Sequence, residues 1–390
     1  MSFGFQFDDS EMDEEYLSSS QPMTAASAST STSTEATSTE QAPFQRQSMQ
    51  EMLQNLPSRI SYSSIHVDLP SRGEGSGSRR RQRLLRRDLF DARFQMLLDE
   101  EEDGDEAAAG PAAGQANVDA DSDLIPGVYE GGLKTWECAL DLVETLDALH
   151  TTAEEGSWSN RLQGKHVLEL GCGTALPSLF VLSQVLKDPV GEGRRLTLHL
   201  ADYNAQVLQL VTLPNLILAW WASPAASAFR TGKGADQLRQ ERHELERRGQ
   251  DHFDTAHQQE EVGEEGELAI TDELLSAFTA SLQERGLDLK FYSGAWTNFP
   301  PSLTEADRMD LVLTSETIYS LDSLPPLVHL LSRYGQGGIV LVAAKVIYFG
   351  VGGGVESFKQ TLAQLTPSAK VEALHSVTKG VGRTVLSVTF

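Results

Sequence analysis

The residues of this 390-residue chain best suited to chemistry gather at one turn. In VLELGCGTALPS, Val167 to Ser178, an apolar run His166 to Leu170 carries Glu169 and breaks at Gly171-Cys172-Gly173. A helical stretch, Leu176 to Leu186, follows, with Pro177 in its first turn, where the missing N–H costs little. Glycines at a strand-to-helix turn permit a tight bend and let the backbone approach a ligand closely. Such a turn also opens dinucleotide-binding folds, and many merely join a strand to a helix. Three features favour S-adenosylmethionine. The Glu169 carboxylate would disfavour a pyrophosphate yet can serve a ligand bearing an ammonium and a sulfonium. Leu176 stands where the dinucleotide fingerprint has its third glycine. Asp202 ends the next strand-like run, Leu196 to Leu200 with Ala201, where a carboxylate can accept hydrogen bonds from both ribose hydroxyls. The plainer role for Asp202 is a turn residue capping the following helix.

The elements that must position these residues alternate. Trp136 to Leu149 places Leu140, Leu142, Val143, Leu146 and Leu149 on one helical face. Asn204 is a suitable N-cap for a helix carrying Val207, Leu208 and Leu210. Leu287 to Tyr292, Asp310 to Thr314 and Gly338 to Ala343 read as strands and Leu324 to Tyr334 as a helix. Val371 to Val377 and Thr384 to Phe390 form two strands around the turn Gly380-Val381-Gly382. The pattern predicts an α/β fold: a doubly wound, mostly parallel Rossmann-like sheet with a C-terminal antiparallel hairpin, binding ligands beyond the carboxyl ends of its strands.

This domain is expected over 126–390, behind an N-terminal region, 1–125, that is acidic, of low complexity and mostly disordered. Ser18 to Ala42 is almost entirely Ser, Thr, Ala, Gln and Glu, with too little apolar surface to offset the entropy of ordering. Within 79–98 the basic cluster Arg79, Arg80, Arg81, Arg83, Arg86, Arg87 meets Leu84, Leu85, Leu89, Phe90, Phe94, Leu97 and Leu98 at helical spacing, which predicts an amphipathic helix. Its arginines are either a solvated face or a nuclear-import or docking signal. A charged stretch near 223–270, densest over Arg230 to Gly266, is an exposed helix or a disordered insertion, with no chemistry assigned.

The net charge of -25 argues against non-specific nucleic-acid binding, since an acidic chain gains nothing by displacing counterions from phosphates, and suits a basic protein partner. The two cysteines, Cys138 and Cys172, are expected as free thiols of a reducing compartment. No apolar run suffices to span a bilayer and Met1 to Tyr16 is unlike a signal peptide, so a cytoplasmic and nuclear monomer without metal or membrane attachment is expected.

Several stretches in the same order resemble one family. They are YEGGLKTWECALDLV (Tyr129 to Val143), LELGCGTALPS, LADYNAQVLQLVTLPNLIL (Leu200 to Leu218), SGAW (Ser293 to Trp296), SETIYS (Ser315 to Ser320) and AAKVIYFGVGGG (Ala343 to Gly354). The weaker matches are Arg86-Arg87-Asp88-Leu89-Phe90 and Met1-Ser2-Phe3-Gly4-Phe5. Together they resemble the eukaryotic histidine protein methyltransferases, fungal-type. These are a branch of the seven-β-strand methyltransferases, whose closer relatives methylate lysines on elongation factors and chaperones.

The resemblance implies a seven-stranded sheet and S-adenosylmethionine as cofactor. It implies that Lys134, Thr135, Trp136, Glu137 and Cys138 cover the methionine end, that Gly171 and Gly173 lie under the cofactor and that Asp202 holds the ribose. Tyr203 and Asn204 would flank the adenine, Gly294, Ala295 and Trp296 would close that side, and Ser315 would sit near the methionine. Relatives often carry an acidic residue where this chain has Ala295, so a side-chain bond to the adenine amine is not implied here. Without the family, Trp136 and Trp296 read as core aromatics. Glu316 and Tyr319, a Glu-x-x-Tyr pair, would face the acceptor. The plainer role of Glu316 is a strand-end cap. The tract Tyr348 to Gly354 suits a substrate-shaping loop or a plain connection.

The implied acceptor is a histidine of a large-subunit ribosomal protein. A lysine acceptor on the same fold and a non-catalytic cofactor-binding chaperone remain as rivals. Neutral imidazole needs orientation more than a strong base, whereas lysine would need its pKa lowered or a proton acceptor.

Overall fold

A computed structural model describes residues 41–70, 79–93, 95, 132–151, 157–188, 196–232, 262–303, 308–350 and 352–390. The tract before Gln41, the linker 99–125 and most of Arg230 to Gly266 lie outside the described residues, as do Tyr129 to Gly131 of the first family motif.

The described strands are β1 (Gln45–Gln47), β2 (Arg59–Pro70), β3 (Arg79–Arg87), β4 (His166–Leu170), β5 (Leu196–Asp202), β6 (Glu265–Ala269), β7 (Leu287–Ser293), β8 (Leu311–Ser315), β9 (Ile339–Lys345), β10 (Lys370–Val377) and β11 (Arg383–Thr389). The helices used below are α1 (Met49–Gln54), α2 (Glu137–Thr151), α3 (Leu176–Val185), α4 (Leu213–Trp221), α5 (Asp272–Glu284), α6 (Leu324–Tyr334) and α7 (Val355–Leu365).

Among the described residues, eight strands form the main sheet in the order β1-β7-β5-β4-β8-β9-β11-β10. β7, β5, β4, β8 and β9 run parallel, and β11 and β10 close the far edge antiparallel. The apolar runs read as strands because they are buried on both faces, and alternate residues supply opposite cores. Val167, Leu313 and Leu341 join the side chains of α2 to α5, while Leu168, Val312 and Val340 join those of α6 and α7. The order reverses at β4, whose neighbours β5 and β8 lead to opposite halves of the sheet, so a crevice opens at its carboxyl end.

The start of the domain near Pro126 is corrected. Gln41–Phe390 is one unit, and β1 adds an eighth strand against β7, with Gln45 opposite Ser293 and Gln47 opposite Phe291. Ser48 then caps α1, its hydroxyl accepting from the Glu51 N–H at 3.4 Å.

The amphipathic helix expected across 79–98 is also corrected. Arg79–Arg87 is a strand, paired antiparallel with β2 from Pro70 opposite Arg79 to Tyr62 opposite Arg87. Helix begins only after it, over 89–93. Arginine and leucine favour helix locally, but the long pairing and the packing of buried Leu84 and Leu85 override that preference. The arginines do not form one solvated face: Arg79 and Arg81 are exposed, but Arg80 pairs with buried Asp147, Arg79 reaches Glu144 at 2.8 Å and Arg83 reaches Glu264 at 3.5 Å. β6 completes this second sheet against β2, so the end of the expected 223–270 insertion is structural, as is its beginning, with helix at Ser227–Thr231.

Arg87 explains the join. Its side chain is almost wholly buried and donates to Asp91 (2.7 Å), Gln95 (2.8 Å) and the Leu210 carbonyl (2.7 Å). That carbonyl lies in a π-helical turn, Leu208–Thr212, leading into α4, and such turns open the regular ladder of backbone bonds. The Arg87 N–H also donates to Asn215 Oδ1 at 2.6 Å, and Asn215 Nδ2 donates to the Thr174 carbonyl at 3.0 Å. The small sheet is thereby tied directly to the glycine turn.

Candidate cofactor and acceptor site

The turn after β4 needs its glycines. Gly171 has φ 63° and Gly173 φ 49°, and a Cβ on Gly171 would lie 2.6 Å from Thr317 Cγ2. A Cβ on Gly173 would lie 3.1 Å from the Gly132 carbonyl oxygen, so the chain entering α2 passes directly over the turn. Asp202 is buried at the end of β5 and accepts from the Gly173 N–H through Oδ2 at 2.9 Å and from the Asn204 N–H through Oδ1 at 3.1 Å. These two bonds are those of a carboxylate that caps the turn, and its place at the carboxyl end of β5 also sets it beside the glycine turn. Asn204 holds the N-cap position of the next helix but makes no side-chain capping bond.

Glu169 sits elsewhere than expected. Its Oε2 accepts from the Ser178 N–H at 3.0 Å and from the Ser178 hydroxyl, so it caps the start of α3 from within the core. Burial pushes its carboxyl up to about 8, against the pull of the two Ser178 donors. In this position it serves the helix and supports the turn from behind.

A second cluster forms where β8 ends. Among the described residues, Glu316 and Ala175 are the non-glycine residues with positive φ, at 58° and 56°. This conformation of Glu316 is sparsely populated for a side chain of its kind and has to be held by its surroundings. Here its N–H donates to the Ala343 carbonyl at 2.9 Å. Its Oε1 accepts from the Cys138 N–H at 3.4 Å and its Oε2 from the Tyr348 hydroxyl at 2.5 Å. One carboxylate thus bridges the first turn of α2 to the loop after β9. Burial first, then the Glu316 charge, raises the Tyr348 phenol above its ordinary range, so it stays protonated and donating. The same two causes raise the Cys138 thiol.

Around this clamp stand half-buried Tyr319, edge-on to Tyr348 at 6.4 Å, and half-buried Ser315 at the end of β8. Trp136, half-buried, has Lys134 Nζ and Lys345 Nζ each 5.5 Å from its ring centroid. Thr135 donates to Thr174 at 3.1 Å, and exposed Glu137 lies 3.8 Å from Lys345. Gly353 is confined, its N–H donating to the Tyr319 carbonyl at 2.9 Å, so the glycine tract folds back onto the segment that follows β8 and carries Glu316.

On the other side of Asp202, the Gly294 N–H donates to the carbonyls of Asp202 (3.2 Å) and Tyr203 (3.1 Å). Half-buried Trp296 reaches back to within 3.9 Å of the Cβ position of Gly171. Ala295 is buried, and its N–H donates to the Ala42 carbonyl at 3.0 Å. The structure therefore brings together Lys134 to Cys138, Gly171, Gly173, Asp202 to Asn204, Gly294 to Trp296, Ser315, Glu316 and Tyr319 around one crevice, with Glu169 behind it. Sequence reasoning gave no individual role to Gly132, which lies in a quoted motif, and none to Asn215 or Ala42, whose contacts are long-range; it placed Tyr348 only in a loop and Arg87 only in a basic cluster, without the bonds to Glu316 and the Leu210 carbonyl.

The crevice fits S-adenosylmethionine in kind. It has a glycine turn with no side chains of its own at Gly171 and Gly173, a carboxylate at the end of β5, and Trp296 reaching to the turn.

No family model matches the chain. Among curated proteins it is similar to Histidine protein methyltransferase 1 of Schizosaccharomyces pombe, at 30% identity over 87% of this chain and 83% of that one. The protein of the same name from Saccharomyces cerevisiae is 32% identical over 79% of this chain and 77% of that one. The homolog from Bos taurus is 31% identical over 69% and 58%. Solved structures with partial likeness include the rRNA methyltransferase aviRa of Streptomyces viridochromogenes, at 16% identity and TM-score 0.31, covering 69% of this chain and 92% of that one. Another is a SAM-dependent methyltransferase of Aquifex aeolicus, at 12% identity and TM-score 0.28, covering 65% and 93%.

Proposed function

The chain belongs to the histidine protein methyltransferase family, and from that premise we propose that it methylates a histidine side chain of a basic large-subunit ribosomal protein, with S-adenosylmethionine as methyl donor. The donor supplies an electrophilic methyl on sulfur, and the protein's own work is to orient, exclude water and hold the acceptor nitrogen in line. Positioning alone can be worth an effective molarity of about 10⁵ M or more. Imidazole, with an ordinary pKa near 6.5, is mostly neutral at pH 7, so no strong base is required.

The observation that carries the reading is the Glu316 clamp at the junction of the cofactor crevice and the glycine-rich loop. Asp202 and the 171–173 turn would hold the ribose and the body of the cofactor, and Lys134 to Cys138 its methionine end. Glu316 and Tyr319 would face the acceptor. A carboxylate there can accept from one imidazole N–H and leave the other ring nitrogen's lone pair pointing at the methyl group.

The test has two parts. Labelled cofactor is incubated with a ribosomal fraction from cells lacking the protein, followed by amino-acid analysis. Methylhistidine is expected, and methyllysine would overturn the acceptor assignment. In parallel, Glu316→Gln keeps the shape and can still accept from the Cys138 N–H. It is expected to bind cofactor within about twofold of the parent and to lose at least about tenfold in turnover, a transition-state loss of about 1.4 kcal/mol. Equal turnover at matched folded fraction would reduce Glu316 to a structural clamp.

A further inference from the structure

Residues 41–47 cross the outer side of the 294–298 turn, and the contacts are of several independent kinds. β1 pairs with β7 up to Ser293, and Gln47 Nε2 donates to Ser293 Oγ at 2.7 Å. The Ala42 carbonyl accepts from the Ala295 N–H at 3.0 Å and from Asn298 Nδ2 at 2.8 Å, while Thr297 bonds the Gln41 side chain. Phe44 packs on Tyr292 at 5.9 Å and edge-on against Phe299 at 4.9 Å. The approach is so close that a Cβ on Gly294 would lie 2.2 Å from the Pro43 carbonyl oxygen, and Gly294 itself has φ 117°, a conformation that favours glycine.

The turn beneath the strap borders the crevice from both directions. The Gly294 N–H is bonded to the carbonyls of Asp202 and Tyr203, and Trp296 leans toward Gly171. A turn of this kind has little secondary structure to hold it: Trp296–Asn298 is a single short 3₁₀ turn. Its outward-facing Ala295 N–H and Asn298 amide are bonded to the strap. We infer that residues 41–47 are a positioning strap for the adenine end of the cofactor site, fixing Gly294, Ala295 and Trp296 so that the wall of the pocket is formed before the ligand arrives. This rests on the S-adenosylmethionine reading above. An unstrapped turn would have to be ordered at the moment of binding, and that entropy would be subtracted from affinity.

A strap that served only to cover the exposed edge of β7 would be expected to change stability and leave affinity alone. The two roles separate in one experiment that compares the full chain with three variants of it. Affinity for S-adenosylhomocysteine and for 5′-methylthioadenosine, which keeps adenine and ribose but lacks the amino-acid end, is measured by calorimetry. The proteins are the parent, Gly294→Ala, Asn298→Ala and a chain shortened to begin at Ser48. Folded fraction is matched by thermal melting. Asn298 is exposed, so its substitution carries little risk to folding. The expected result is weaker binding of both ligands by the same factor, severalfold for Asn298→Ala and about tenfold or more for Gly294→Ala and the shortened chain. Unchanged affinities in all three variants, beside a parent that binds, would overturn the strap. A parent that binds neither ligand would instead overturn the cofactor reading on which the strap rests.

Discussion

At the scale of single residues, two carboxyl groups lie close to the glycine turn and their surroundings give them different work. Asp202 accepts from two backbone N–H groups at the crevice, whereas Glu169 is enclosed in the core behind it with Ser178 as its partner. Burial raises Glu169 from 4.5 to about 8, and this has a definite sign in stability. Below about 4.5 the group is protonated in both the folded and the unfolded chain, and folding sees no difference. Between 4.5 and 8 the unfolded chain releases a proton that the folded chain keeps, so this group's contribution to stability is lost as pH rises through that window. Above it no further loss occurs. Glu169→Gln copies the protonated form and has no proton to release. Melting temperatures of parent and Glu169→Gln across pH 5 to 9 are therefore expected to diverge upward, the variant gaining relative to the parent until about pH 8. Parallel profiles would mean that Glu169 is ionised in the folded protein at neutral pH, held so by the Ser178 donors and the start of α3.

At the scale of elements, Arg87 is the clearest case of one side chain fastening one element to another. It is the last residue of β3, and it donates to the Leu210 carbonyl within the π-helical turn 208–212 while bonding Asp91 and Gln95. Arg87→Met keeps most of the length and leaves the Leu210 carbonyl and the Asp91 carboxylate without this donor. The loss expected in urea unfolding is about 1.5–3 kcal/mol, the range for a hydrogen bond to a charged group, because the Asp91 carboxylate left behind is part-exposed and still accepts from the Ser61 N–H. A loss below about 1 kcal/mol would show that water replaces the guanidinium at little cost. Arg87 also shows why part of the fold was hidden in the sequence. β4, its glycine turn and α3 are adjacent in the chain, and period-two and helical spacing reveal them directly; so do α6, β9 and the terminal hairpin. The strand at Arg79–Arg87 is made by pairing with β2 and by acids on α2, and the same residues taken alone favour helix. The three residues of β1 have no periodicity to read, and only the edge of β7 makes them a strand. At the site, the glycines and Asp202 were legible from their place after strands. The capping role of Glu169 depends on which way its side chain turns, and the Glu316 to Tyr348 bond joins residues 32 positions apart.

At the scale of the whole molecule, the chain carries 56 acidic against 31 basic residues, a net charge of -25. Within the described part, most of the arginines of β3 are already committed to acids of the same chain, so the remaining field is strongly negative in total. Such a field raises the encounter rate with a basic partner and is screened by salt, with a Debye length of about 10 Å at 0.1 M ionic strength. If the acceptor is a basic ribosomal protein, KM for that protein should rise severalfold between about 50 and 300 mM salt, because encounter and loose association depend on long-range attraction. Turnover at saturation should change little, since on the proposed reading the aligned acceptor would be held by short contacts, which salt screens least. A short uncharged peptide carrying the same histidine serves as the internal comparison, because it lacks the charge that the field acts upon. Its KM is expected to be higher at low salt and nearly flat with added salt, so that the two substrates converge as screening increases. Equal salt dependence for protein and peptide would place the effect in the enzyme itself, and a protein KM that stays flat would exclude a strongly basic acceptor.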